Sequence, residues 1–424
     1  MANNFDSNFT RMLARIFLEK FETNRVMSKN VDTQLLAGKF NPSTGDTVDF
    51  KRPTDYKSVR TAQGDVSGAS PSDIITGKAS GVVQDYFTTF VEYQEADEAI
   101  KMDQIDQLLA PLATRIVTDL ETDFADFMMK NAGLLAGEVG QTVSTWGQIA
   151  EAGAILESHG VPMDSEWFYS VNPFTQNALA DIQRSLGAGG TAGGIIKSAH
   201  EQATITTKFA GMRVMSATTL STYDTGADVA GALTANVDGT YVTAKDTMTQ
   251  VLAVDAFGAG AQVIKAGTKV SVAGANRLNL STRNSIVTAD GTGILWNATV
   301  VEDSTMTGGA GNLIVTGPAI FESTGAFNTC TALLLDNAVV TILGAASKTY
   351  QPNLFWHKQA FGIGSVPIKK LHSTDTLATT EDGLQFRVSK GVDFLKNKQL
   401  VRFDFRPAYS VLNPFFAGHG WGSS

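Results

Sequence analysis

Residues 45–93 constrain the fold more than any other part of the chain. Two strand-like stretches, GDTVDFKRPTDYKSVRTA (45–62) and KASGVVQDYFTTFVEY (78–93), flank QGDVSGASPSDIITG, whose Gly, Ser, Asp and Pro content is turn chemistry. Together they predict a long β-hairpin. Arms of roughly 15 residues at about 3.3 Å each make a ribbon on the order of 50 Å long. A lone two-stranded ribbon of that kind is marginal in water. The expectation is therefore a protein that borrows a neighbour's surface, and so assembles.

The totals exclude several classes. With 424 residues, 43% hydrophobic and 18% charged, the chain is long enough for two or three domains around a sizeable core. A net charge of −9 with no Lys/Arg cluster argues against tight DNA binding. Cys330 is the single cysteine, so an intrachain disulfide and a thiolate metal cage are both impossible. The N-terminal residues carry charges throughout and no apolar run reaches bilayer length, which predicts a soluble protein made in a reducing cytoplasm, with no membrane partner.

Residues 9–21 predict a short amphipathic helix, with Phe9, Met12, Leu13, Ile16 and Phe17 on one face and Arg11, Arg15 and Glu19 elsewhere. Such a helix needs a surface to lie on. Further on, Ile116, Leu120, Phe124 and Phe127 form an apolar stripe on what reads as the longest helix, reaching back to Leu108 with a kink or start at Pro111. Residues 146–184 read as helix, strand, helix, with Asn172-Pro173 at cap positions. The run 187–194, GAGGTAGG, is a flexible loop by composition, and 208–220 reads as a strand. From 222 to 350 roughly one residue in eight is charged, against about one in five elsewhere, and short β-like pieces alternate with turn signals. That stretch predicts an all-β barrel or sandwich inserted into a larger α+β domain. In 402–406, Phe403 and Phe405 alternate with Arg402, Asp404 and Arg406, the period of a half-buried strand.

No stretch carries a catalytic constellation. Asp119, Asp123 and Asp126 fall together on the helical wheel while Glu121 points elsewhere, and no histidine lies between 101 and 158, so a di-metal carboxylate helix is ruled out. Arg115 and Lys130 sit at ion-pair spacing from Asp119 and Asp126, which predicts a solvated or subunit-facing flank. The five histidines show no metal-binding spacing. Gly77-Lys78 lacks the leading glycine and the following Ser/Thr of a phosphate loop, and FGIGSVP (361–367) lacks the third glycine of a dinucleotide site. Catalytic residues, cofactor and metal are all expected to be none.

The order of parts, and the stretches VDTQLLAG (31–38), STGDTVDFKRP (43–53), VEYQEADEAIK (91–101), LAPLATRIVTDLETDFADFMMKN (109–131), QPNLFWHKQAFGIGSVPIKKLHS (351–373) and RFDFRPAYSVLNP (402–414), resemble the major capsid proteins of tailed phages with the HK97-like fold. They are most similar to the subgroup from short-tailed phages of Salmonella and Shigella, which carries an inserted β-barrel domain. The resemblance covers nearly the whole chain apart from the insertion, where only position and β character match. It implies an N-terminal arm (1–44), an extended loop (45–93), a peripheral domain with a spine helix (94–131), a mainly axial domain (132–221), the inserted domain (222–350) and a return through axial and peripheral domains (351–424).

It also implies a structural, non-enzymatic role. The chain would assemble with a scaffolding protein into an icosahedral procapsid of hexamers and pentamers, in the bacterial cytoplasm. The shell would expand and enclose double-stranded DNA in the virion, with portal and decoration proteins as further partners. Candidate scaffold contacts are Arg11 and Arg15; candidate inter-subunit contacts are Lys57, Arg60, Asp65 and Lys78. No motif around Lys78 supports an inter-subunit crosslink. The rival readings are an encapsulin-like compartment and a glycan-active enzyme with a β-rich binding module.

Overall fold

The computed structural model describes residues 5–36, 39–40, 47–51, 58–69, 71, 77–94, 105–185, 199, 201–234, 245, 247–258, 260–322, 327–393, 395–396 and 398–423. The chain forms two compact units, the first from residues 1–50, 80–125 and 361–411, the second from 51–79, 126–360 and 412–424.

The first unit is built on an antiparallel sheet in the order Thr376–Thr379, Gln385–Asp393, Lys398–Phe405, Phe87–Gln94. Helix α1 (Phe5–Asn24) lies on it. The seat is aromatic: Phe17 meets Phe386 at 4.5 Å and Phe403 at 5.2 Å, and Phe21 meets Phe405 at 5.4 Å. This rotates the buried face from the expected one. Leu13, Phe17 and Phe21, spaced i, i+4, i+8, are buried, while Met12 is 42% exposed. The side chain of Phe9 lies outside the described residues. Burying each Phe stabilises by about 1.5–3 kcal/mol, which a solvated helix of this length could not supply for itself.

A second sheet of this unit runs in the order Thr47–Lys51, Lys78–Val83, Pro407–Val411, Phe361–Ser365. The stretch FGIGSVP supplies its last strand, Phe361–Ser365. Here the hairpin expectation needs correction. Among the described residues of 45–93, the strands of this sheet cover 47–51 and 78–83, whereas 58–69 is irregular. Phe87–Gln94, read from sequence as a continuation of the second arm, belongs to the other sheet. The reason lies opposite: Lys398–Phe405 and Pro407–Val411 change sheets at Arg406, and 78–94 changes with them at Gln84–Tyr86. Arg406 holds that corner, donating to the Gln84 carbonyl and stacking over Tyr86 at 5.1 Å.

Helix α2 (Ile105–Asn131) carries Pro111 inside it rather than at a start. Proline removes one backbone hydrogen bond, and the stripe beyond it compensates. Ile116, Leu120 and Phe124 are at most 1% exposed, and Ala113 and Val117 are buried with them. Phe127, the fourth member of the expected stripe, is only half-buried; Met128 is buried instead.

The second unit holds a mixed sheet in the order Leu134–Leu135, Ala417–Ser423, Thr349–His357, Trp167–Val171, Met212–Ser216, Lys208–Phe209, with Tyr223–Asp224 beside the third strand. Helices α3 (Trp146–Ser158) and α4 (Pro173–Ser185) fall where the sequence places them. A capping box between Thr145 and Gln148 starts α3, and Asn172 accepts from the Thr175 N–H at 2.7 Å to start α4. The single strand expected at 208–220 is instead a tight hairpin. Ala210 and Gly211 at its turn both have positive φ (51° and 80°), as a two-residue turn matching strand twist requires.

Residues 230–342 of this unit contain a closed six-stranded barrel: Thr249–Asp255, Gly311–Thr316, Leu295–Val300, Lys269–Asn276, Val339–Ile342 and Ala230–Leu233. It has its own core around Trp296, Phe257, Leu252 and Val315. Its composition follows from closure, since a barrel of short strands satisfies its backbone internally and needs few charged edges. Cys330 sits in this core, fully buried, and burial pushes its thiol up to about 12. A thiol reagent at pH 8 is therefore expected to leave the folded protein unlabelled and to react once denaturant is added; prompt labelling of the native chain would contradict this burial.

Candidate functional site

The carboxylates of α2 divide differently from the sequence expectation. Asp119 pairs with Arg115 (3.0 Å) and Asp126 with Lys130 (2.5 Å), both as expected of a helix surface. Asp123 accepts from the Tyr409 hydroxyl at 2.9 Å. Burial, with Asp123 beside it, raises the Tyr409 pKa, so this phenol stays a donor. Glu121, expected to point away from anything of interest, is the buried one at 2% exposure. It accepts from the backbone N–H groups of Met27 (2.8 Å) and Ser28 (3.1 Å) and from the Ser28 hydroxyl. At about 100° per residue the buried arc of α2 continues past Phe124 and Met128 and takes in Glu121. The wheel drawn from Ile116, Leu120, Phe124 and Phe127 stops short of it. Among the described residues no group of three or more His, Cys, Asp or Glu could hold a metal ion.

One arrangement has the composition of a hydrolytic triad. His357 Nε2 lies 2.7 Å from Ser165 Oγ and 2.9 Å from Asp164 Oδ1. However, the Gln359 N–H donates to Nδ1 at 3.2 Å, so in the neutral ring Nδ1 carries the lone pair and Nε2 the proton. A serine nucleophile needs the reverse, a free Nε2 facing the hydroxyl and the carboxylate on Nδ1. Here the protonated Nε2 faces both side chains, which fixes the chain at 164–165 against the strand end. An open cleft of about 620 Å³ beside α3 has Glu166, Lys208 and Arg213 in its wall. The Lys208 ammonium, bonded at 2.9 Å, holds the Glu166 carboxyl below its ordinary range. A glycosidase acid requires the opposite shift.

The candidate contact residues that the structure describes are surface groups. Arg11 and Arg15 are exposed on α1. Every residue from 58 to 68 is exposed, including Arg60, Asp65, Val59 (47%) and Val66 (57%). Asp65 accepts from the Ser67 N–H at 2.9 Å, a local turn bond that lowers its pKa. Lys78 is exposed at the start of its strand, and Lys57 lies outside the described residues, as does the glycine-rich run 187–194. Within the described residues, no helix is long and apolar enough to cross a membrane. Sequence reasoning missed Glu121, Lys269, Arg277 and His419 as buried polar groups, because nothing in their local pattern separates them from surface charge.

The family model of the P22 coat protein (gene protein 5) matches residues 1–422. The major capsid protein of Acyrthosiphon pisum secondary endosymbiont phage 1 is 35% identical over 431 residues, covering 100% of both chains. Among solved structures, one from Mycobacterium phage Che8 shares 12% identity at TM-score 0.45, covering 93% of this chain and 90% of that one. The capsid of an empty GTA particle shares 9% at TM-score 0.41, again covering 93% and 90%. Membership follows from the two sequence matches, which run the length of the chain: it belongs to the P22 coat protein family, and its function is to build a phage capsid.

Proposed function

We infer that the chain assembles with a scaffolding protein into an icosahedral procapsid of hexamers and pentamers, which expands and encloses double-stranded DNA. In this reading the arm, extended loop, peripheral, axial and inserted domains have the HK97-like arrangement, and the extended loop of 45–93 lies on a neighbouring subunit. The observation that carries it is the run 58–68, where every residue is exposed, apolar Val59 and Val66 included. In a coat protein, such a segment gains burial by association. Lys57, Arg60, Asp65 and Lys78 are the charged contacts of that loop, and no covalent crosslink joins the subunits. Portal and decoration proteins are the other partners, the host cytoplasm is the place of assembly, and no catalysis is needed. A net charge of −9 suits a shell that must fill with and release a polyanion.

Arg11 and Arg15, exposed on a helix whose other face is committed to its own sheet, are the contacts for the scaffolding protein. Electron microscopy of the chain produced with its scaffolding protein is expected to show closed shells. Reversing both charges (R11E/R15E) is expected to cut shell yield at least about tenfold, because charged contacts fix partner choice and encounter rate. Absence of shells from the unmodified pair would overturn the reading. Undiminished yield from the variant would overturn the scaffold contact alone.

A further inference from the structure

The second unit contains buried basic side chains that face no carboxylate among the described residues. Lys269, at one end of a barrel strand, is 0% exposed and donates to the carbonyls of Ala132 and Leu134, each at 2.7 Å, and to Thr299 Oγ1 at 2.6 Å. Arg277, just past the other end of that strand, is 1% exposed and donates to the Gly133 carbonyl at 2.8 Å and to Asn297 Oδ1 at 2.9 Å, with its guanidinium over Phe415. His419 Nε2 donates to the Met129 carbonyl at 2.7 Å. His159, the cap residue of α3, donates from Nδ1 to the Ile155 carbonyl at 2.7 Å, while its own carbonyl accepts from the Leu280 N–H of the barrel. Its Nε2 and the Arg277 Nε are both buried without a hydrogen-bond partner among the described residues.

Lys269, Arg277 and His419 thus reach carbonyls at or just beyond the end of α2, while His159 and the barrel residues Leu280 and Asn279 close the end of α3. Helix C-termini carry partial negative charge, and these carbonyls are what the two buried basic groups face. The carboxylates on the packed elements are engaged elsewhere: Asp126 by Lys130, Asp303 by Lys265, with Glu157 exposed on α3. The other described ionisable side chains near the cluster are two tyrosines and the cysteine. Tyr223 stacks near His419 at 6.2 Å with its pKa raised by burial, Tyr350 packs on Tyr223, and the Cys330 thiol is pushed to about 12.

We propose that this junction is an acid-labile joint: protonating His159 and His419 adds two cations to a cluster that holds Lys269 and Arg277 and no carboxylate, and so releases the barrel from the ends of α2 and α3. The direction follows from the folded state. Burial, then Arg277, lowers His159 to about 3, and burial, then Lys269, lowers His419 below its ordinary 6.5. A base whose folded pKa is depressed is bound to more protons in the open state, so the joint is intact above about pH 6.5 and weakens as pH falls toward 3. Burial and Arg277 lower Lys269 as well, so any proton it gains in acid acts in the same sense.

The test is hydrogen exchange of the full-length chain, corrected for intrinsic rates, over residues 132–136 and 269–280. Protection is expected to fall between pH 6.5 and 5 by up to about tenfold per pH unit for each histidine. His159→Asn and His419→Gln keep an amide N–H where Nδ1 and Nε2 donate but cannot take up the proton. The double variant is expected to lose most of that slope; a slope equal to the unmodified chain overturns the proposal. If the double variant fails to fold, the imidazole NMR signals of the unmodified chain decide. Rings of His159 and His419 that stay neutral until protection is lost support the joint; rings that titrate near 6.5 with protection intact overturn it.

Discussion

Glu121→Ala is expected to lower the stability of the first unit by about 3–5 kcal/mol, measured by urea unfolding at pH 7. The carboxylate is 2% exposed and supplies the acceptors for three donors, the N–H groups of Met27 and Ser28 and the Ser28 hydroxyl. Two of these open the short helical turn Ser28–Asn30, whose first N–H groups have no partner within the turn. Arg25 completes the network: its Nε donates to Ser28 Oγ at 2.8 Å, its Nη2 to the Ser28 carbonyl at 2.8 Å and its Nη1 to Asp382 at 2.9 Å. Removing Glu121 strands these buried donors, including the Ser28 hydroxyl that also accepts from Arg25, itself 4% exposed. Glu121→Gln keeps one acceptor but turns an NH2 toward the other donors, so about half the loss is expected. A change below about 1 kcal/mol for the alanine variant would show that the turn at 27–30 is held by packing instead.

How much of this was legible depends on whether the signal is local. The helices of 146–185 have their starts written as a Thr/Gln box and an Asn-Pro step, and the barrel's drop in charge reflects closure. The hairpin arms were overread because 78–83 and 87–94 look continuous in sequence, while the strands that divide them, 398–405 and 407–411, come some 300 residues later. The strand read at 208–220 hid a turn, since Gly211 is its single mark and the residue beside it at positive φ is an alanine. The buried polar groups fail for a related reason. Glu121 and Lys269 find their acceptors and donors on distant segments, so their type and spacing match those of ordinary solvated charge.

The second large effect is expected at Asp404. In register across three strands, Arg387 faces Asp404 and Asp404 faces Thr88. The carboxylate, 1% exposed, accepts from Arg387 Nε and Nη2 (3.1 and 2.5 Å), Arg402 Nε (2.7 Å) and Thr88 Oγ1 (2.7 Å). The half-buried alternation read from 402–406 is therefore wrong at its central residue: the row opposite the phenylalanines is also covered at Asp404. Asp404→Ala is expected to cost about 3–5 kcal/mol, because Arg387, 6% exposed, keeps only the Lys369 carbonyl among the described residues. Adding Arg387→Met removes the stranded cation, so the double variant is expected to be more stable than the sum of the two single losses predicts, by at least about 1 kcal/mol. Strict additivity would mean the pair is not coupled. Acid separates this row from the barrel joint. Burial pushes the Asp404 carboxyl up, but the bonds from Arg387, Arg402 and Thr88 outweigh it and hold the group below its ordinary 3.8. Its contribution is present above that value and is lost only as pH falls below it. The first unit is therefore expected to keep its exchange protection at pH 5, where the barrel joint of the second unit has already weakened.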